Sequence, residues 1–314
     1  MLTRRNLRIK AFQTLFAGRS RGETKVEQFV SDYQQSIRQF EYMYAFLLQL
    51  PSAFNTYLFS EKDIELAKYF PKSEKIRETS VFETHSFVKF CEGSTFLHQM
   101  QKNSPYTWNE YGELFLSIFK ALKTVDFYKD YLVFEEPTPE QEKEFVLAFY
   151  GYLFEESEVF QNEISDVYPD WDNDVFVFYK MLSDSIKDSF KENKLVIIPT
   201  YKNREEDYPF VETLLIKTTV ESVSYQDLLK RVAKSWDTER IAKIDMVLME
   251  MALTEFLFFP LIPLKVTINE YLDIAKSFST AKSHIFINGI LDRVKEIMMS
   301  ENKIVKEGRG LRDH

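Results

Sequence analysis

The chain has 314 residues, 45% hydrophobic and 28% charged, with 8 glycines, 10 prolines and one cysteine. This composition fits one or two folded domains and excludes a glycine-rich phosphate loop, a disulfide framework, a cysteine-rich zinc site and turn-dense β architectures. The net charge of −9 conceals an uneven distribution: residues 1–25 sum to +6, residues 126–175 to −13 and residues 293–314 to +2.

In chain order, Leu7, Ala11, Phe12, Leu15 and Phe16 recur at helical spacing and predict a first helix, closed by Gly18 to Gly22. Arg4, Arg5, Arg8 and Lys10 lie on its N-terminal half, where they oppose the helix dipole and require solvent or an anion. Residues 26–70 read as a long amphipathic stretch with Phe40, Tyr44, Leu47 and Leu48, broken at Pro51. Residues 71–105 are less regular, and residues 106–168 predict aromatic-rich helices interrupted at Pro137 and Pro139. A helix from about Asp172 to Phe190 presents Val175, Phe178, Leu182 and Ile186, and a polar loop over 191–208 follows it up to Pro209. Asp237 is the predicted cap of a helix carrying Ile241, Ile244, Leu248, Met251 and Ala252, which ends in an apolar loop over 258–263. The next helix presents Ile268, Leu272, Ala275 and Phe278. The last follows Ser279 and Thr280 and presents Ile287, Ile290, Leu291, Val294 and Ile297. Short loops between such helices imply antiparallel packing, and no strand emerges, so the predicted fold class is all-α.

Residues 265–278 (KVTINEYLDIAKSF) and 283–293 (SHIFINGILDR) resemble the C-terminal signature of the NusB family of bacterial transcription antitermination factors. Residues 4–16 (RRNLRIKAFQTLF) are similar to that family's arginine-rich first helix, and Asp172 to Leu182 more weakly to its middle helix. The resemblance covers roughly residues 1–18, 172–190 and 225–298. It implies NusB-like helical bundles with a large helical insertion. The expected divisions are an arginine-rich helix over 1–20, an acidic, aromatic-rich insertion over 21–170, a helical core over 171–300 and a basic flexible tail over 301–314. It also implies binding to the single-stranded boxA element of ribosomal RNA transcripts. Binding would occur together with NusE, a small-subunit ribosomal protein, inside an RNA polymerase antitermination complex that suppresses premature termination. Neither catalysis nor a cofactor is implied.

The residues themselves suit a single-strand binder, which needs cations for the backbone and flat side chains for the bases. Arg4, Arg5 and Arg8 supply charge, and Gln13 on the same helix can reach a base or the backbone. Phe278, Lys282 and Phe286 combine two rings with one cation at four-residue intervals. Spacing alone favours a core role for the two rings; the family resemblance assigns them to RNA. It places Asp245 near a base amino group as well, whereas its position alone equally fits an ordinary helix acid. Many family members carry an acid where this chain has Lys282. Gly289 and His284 read as structural. If the basic helix neutralises about four phosphates, binding should fall with a log–log salt slope near −3.

Other functions find less support. The four histidines have no metal-ligand spacing, and Cys91 between His85 and His98 has no further support as a nucleophile. The acidic run matches no calcium loop and reads as a solvated face. A NusB-like module of a ribosomal RNA cytosine methyltransferase should continue into an α/β domain with a glycine-rich cofactor loop, and the sequence ends without one. A helical protein-interaction scaffold that has lost RNA binding is the alternative. The polar, basic start and the lack of any long apolar run predict no secretory signal, no membrane segment and a cytoplasmic location.

Overall fold

The computed structural model describes residues 1–233 and 241–311. Within them the regular structure is helical, and the one β pairing is an isolated bridge between Leu2 and Tyr201. Helices α1 (Arg4–Ser20) and α2 (Val26–Leu48) open the chain. There follow α3 (Leu50–Leu66), α4 (Ser73–Glu78), α5 (Ser86–Glu92), α6 (Thr95–Asn103), α7 (Gly112–Leu122), α8 (Asp126–Tyr131), α9 (Pro139–Glu155), α10 (Glu158–Val167) and α11 (Trp171–Glu192). The last are α12 (Arg204–Val220), α13 (Ser222–Ala233), α14 (Lys243–Phe258), α15 (Leu264–Phe278) and α16 (Ser283–Ser300), before a 3-10 turn at Gly308–Leu311. The chain is all-α, and no described helix is long and apolar enough to cross a membrane.

The helices form two compact units, one inserted into the sequence of the other. The host unit joins Leu2–Ile37 to the described residues from Tyr201 onward; the inserted unit is Arg38–Thr200, with Met1. The boundaries therefore differ from the 21–170 read from the sequence, and packing gives the reason. Phe29 and Tyr33 are buried in the host unit, where the Tyr33 hydroxyl lies 3.0 Å from that of Tyr201. The buried stripe Phe178, Met181, Leu182 and Ile186 of α11 belongs to the inserted unit, where α11 packs on α5 and α9.

In the host unit α1 starts where Thr3 caps it. The Thr3 hydroxyl accepts from Asn6 N and Thr3 N donates to Asn6 Oδ1 at 2.9 Å. Leu7, Ala11, Phe12 and Leu15 are buried as their spacing predicts. A Cβ on Gly18 would stand 2.4 Å from Phe29 Cε1, so α1 and the start of α2 meet at a point only glycine permits. Every residue of α14 from Val247 to Phe256 is buried, the signature of a central helix, and α12, α13, α15 and α16 pack around it. The predicted cap Asp237 lies outside the described residues, and α14 begins at Lys243 with Ala242 before it.

Two expectations change. Pro209 lies inside α12 and does not end a loop. Asn203 caps that helix by accepting from Glu205 N at 3.1 Å, and Glu205, Glu206 and Asp207 fill its first turn, so the start is fixed before the proline. The basic tail is not a free arm over its described part. Glu307 N donates to Pro260 O at 3.0 Å, and Lys306 Nζ donates to the carbonyls of Phe259 and Glu255 at 2.9 and 3.2 Å. These carbonyls end α14, where the dipole favours a cation. A Cβ on Gly310 would fall 2.0 Å from Pro260 O, so the tail lies flush on the apolar loop.

The inserted unit is built on rings. Phe46 stacks on Trp108 at 3.8 Å, Tyr131 on Phe145 at 3.9 Å and Phe40 on Phe178 at 4.5 Å. His85 caps α5 by accepting from Phe87 N, and its Nε2 lies 3.0 Å from Glu142 O, which makes Nε2 the protonated nitrogen. Burial lowers its pKa to about 4. Cys91 is buried and its thiol donates to Leu48 O at 3.3 Å; burial pushes its pKa up, away from a reactive thiolate.

Candidate nucleic-acid interface

The sequence-predicted residues fall on three elements of the host unit: α1, the first turn of α14, and the junction of α15 with α16. On α1 the arginines already have partners. Arg8 is 3% exposed and grips Glu255 in a two-pronged ion pair, Nε to Oε1 at 2.6 Å and Nη2 to Oε2 at 3.0 Å. Tyr271 and Thr267 donate to the same carboxylate at 2.8 and 3.1 Å, so this fully buried acid is well satisfied. Burial alone would lower the Arg8 pKa, but the Glu255 charge and its hydrogen bonds outweigh it and hold the pKa above the ordinary value.

Arg5 is exposed and reaches across to α15, contacting Glu270 at 3.0 Å and Asp273 at 2.9 Å. The hydrogen bond to Glu270 raises its pKa. Arg4 pairs with Asp207 at 3.0 Å and lies over the Phe210 ring at 4.3 Å. Arg19 meets the buried Glu250 at 2.7 Å, Arg21 meets Asp32 at 2.7 Å, and Lys10 is itself buried. The linear surplus of +6 is therefore largely matched by acids from α2, α12, α14 and α15. Arg8 in particular is a core residue and cannot touch RNA directly.

Asp245 is also corrected by its surroundings. It is buried, and Ser279 Oγ donates to its Oδ1 at 2.6 Å. Ser279 Oγ lies 2.8 Å from Ser283 Oγ, which lies 2.8 Å from Thr280 Oγ1. This chain of hydroxyls ties the α15–α16 turn to α14. Asp245 thus fixes the turn that presents Lys282, and one oxygen of its carboxylate is committed to Ser279.

The remaining predicted residues stay near the surface. Lys282 is exposed at the start of α16 and has no ion-pair partner among the described residues. Phe278, half-buried, rests edge-on against Phe12 at 5.3 Å, and Phe12 stacks on Phe16 at 5.9 Å. Phe286 is half-buried one turn after Lys282, beside Ile285, which is 62% exposed. Gln13 is half-buried one turn before Phe16. Since Arg5 contacts Glu270 and Asp273 while Phe12 contacts Phe278, α1 and α15 run side by side in the same direction. The Arg5 ion-pair cluster stands at one end of this pairing and the Phe12–Phe278 rings at the other, with Lys282 four residues beyond Phe278 in the chain. Phe16, half-buried and stacked on Phe12, adjoins these rings although the sequence reading did not name it for the site. Phe16 had read as part of the core stripe.

Residues 175–296 match the NusB family. Three curated relatives carry the name transcription antitermination protein NusB. That of Natranaerobius thermophilus is 36% identical over 88 residues, 28% of this chain and 63% of the relative. That of Salinibacter ruber is 36% identical over 102 residues, 32% of this chain and 64% of the relative. That of Thermodesulfovibrio yellowstonii is 33% identical over 126 residues, 40% of this chain and 79% of the relative. The chain thus spans less than two thirds of the first two. No solved structure matches it.

Proposed function

Because the chain belongs to the NusB family, we propose that it is a transcription antitermination factor that binds boxA-type single-stranded RNA together with NusE. It would act within an RNA polymerase antitermination complex, without catalysis and without a cofactor. The observation that carries this reading is the exposed Lys282 flanked by the half-buried rings of Phe278 and Phe286, on a turn fixed by Asp245. A ring stacked on a base contributes about 1–3 kcal/mol, and a helix N-terminus adds its own attraction for phosphate. At Arg5 two carboxylates, Glu270 and Asp273, compete with phosphate.

The test is titration of a boxA-like RNA oligonucleotide with the protein, with and without NusE, at two salt concentrations. Binding that NusE strengthens is the expected result. Since Arg4, Arg5 and Arg8 already have internal acids, the salt slope should lie at about −1 to −2, not near −3. Lys282→Asp should weaken binding by about 1–2 kcal/mol at low salt, as expected for reversing one partly screened charge. The acid also suits the first turn of α16, so Tm should hold or rise. Equal affinities of the two proteins at low salt would place Lys282 outside the RNA path. Absence of RNA binding in either mixture would favour the scaffold reading, which the internal pairing of the arginines also suits.

A further inference from the structure

The inserted unit carries an open-mouthed cavity of about 630 Å³ lined by α3, α5, α6, α7 and the loop before α7. This size suits a small organic ligand. The floor is rigid. Trp108 is held by its stack on Phe46 and by Nε1 donating to Phe46 O at 2.9 Å, and Phe115 lies 5.6 Å from its ring. Leu97 and Cys91 complete the apolar part. Around it stand three amides, Gln49, Gln101 and Asn109, each both donor and acceptor. Ser52 and Tyr57 line the same space; the Ser52 hydroxyl oxygen is buried with no hydrogen-bond partner, and Tyr57, whose pKa burial and then Glu61 raise, keeps its phenol protonated. Buried polar atoms without partners are rare in folded proteins and mark capacity the fold does not use itself.

The charge of the lining narrows the ligand. It contains no lysine or arginine, one carboxylate (Glu92) and one imidazole (His98). A phosphate or carboxylate ligand would lose its hydration there without a cation to replace it. A flat, uncharged molecule with several donors and acceptors would rest on the Trp108–Phe115 floor while the amides and the two hydroxyls meet its polar edge. We propose that this cavity binds an uncharged, hydrogen-bonding aromatic heterocycle of nucleoside size. The cavity lies wholly within the inserted unit, so the proposal stands apart from the RNA surface on α1, α15 and α16.

The test uses the full chain with adenosine, inosine, cytidine and uridine, and with their 5′-monophosphates, by saturation-transfer NMR and calorimetry. At least one nucleoside should bind with a Kd of about 0.1 mM or tighter, the range for a ligand of that size. Its monophosphate should bind about tenfold more weakly or worse. Gly112 lines the cavity, and a Cβ there would meet no atom within 4 Å, so Gly112→Phe fills the mouth without disturbing the core. Nucleoside binding should fall at least about tenfold in this variant while helical circular dichroism stays unchanged. Should that variant fold poorly, Thr56→Trp, at an exposed position of α3 on the same cavity, takes its place. The proposal is overturned if no nucleoside binds at about 5 mM, if a folded filled variant binds as before, or if the monophosphates bind more tightly than the nucleosides.

Discussion

At Arg8 a guanidinium and the Glu255 carboxylate satisfy one another with almost no water present. Arg8→Ala would leave Glu255 buried and unpaired, so it should cost about 3–5 kcal/mol in chemical denaturation. Arg5→Ala removes a pair that water already screens and should cost less than about 1 kcal/mol. Similar losses for the two variants would contradict the burial difference between them. His85 gives a second residue-scale expectation. The unfolded chain takes up a proton at this ring near pH 6.5, the folded chain only near pH 4. Below pH 6.5 the unfolded state binds more protons, so stability from this site is complete above that pH and falls as pH drops toward 4. Between pH 7 and 4.5 the loss should be about 2–3 kcal/mol. His85→Asn keeps a capping acceptor and removes the titration, so the stability gap between variant and parent should shift toward the variant by that amount in acid. A gap independent of pH would mean the ring is not held neutral.

Among the elements, α1 and α2 cross at a glycine with no room for a side chain. Gly18→Ala drives a methyl group into the fully buried Phe29 ring and should cost about 1–3 kcal/mol, read as a lower urea midpoint with unchanged m. No change would mean that Phe29 has room to turn aside. The stripes of α1, α11, α15 and α16 were legible in the sequence because each buried face repeats locally every three or four residues. Pro209 misled because a local breaker signal lost to the cap at Asn203 and to the buried Phe210, Val211, Leu214 and Leu215. Exposure of the candidate residues was legible in part. Lys282, Phe278 and Phe286 do reach the surface, whereas Arg8 and Asp245 are interior. Their partners explain the miss: Glu255 and Ser279 lie far along the chain, and nothing in local spacing announces a pair formed over such a distance.

For the molecule as a whole, the inserted unit leaves and re-enters the host at neighbouring points. Tyr33, one turn before the exit at Ile37, shares a hydrogen bond with Tyr201 at the return, and Tyr201 also bridges Leu2. Joining Ile37 to Tyr201 through a short glycine-rich linker, with residues 38–200 removed, should therefore yield a helical, cooperatively melting host unit. Its affinity for boxA-like RNA should remain within about twofold of the full chain, because every residue proposed for the RNA surface belongs to the host unit. A folded host unit that no longer binds RNA, while the full chain does, would place part of the interface in the inserted unit. The Arg8–Glu255 pair has a further consequence, in time. The two residues are 247 positions apart. At synthesis rates of about 5–20 residues per second, Arg8 waits roughly 10–50 s for its carboxylate to emerge. Throughout that interval α1 carries an unburied apolar stripe and a cation destined for the interior. Any pause in translating the inserted unit prolongs the wait, and it is the host, not the inserted unit, that stands exposed meanwhile.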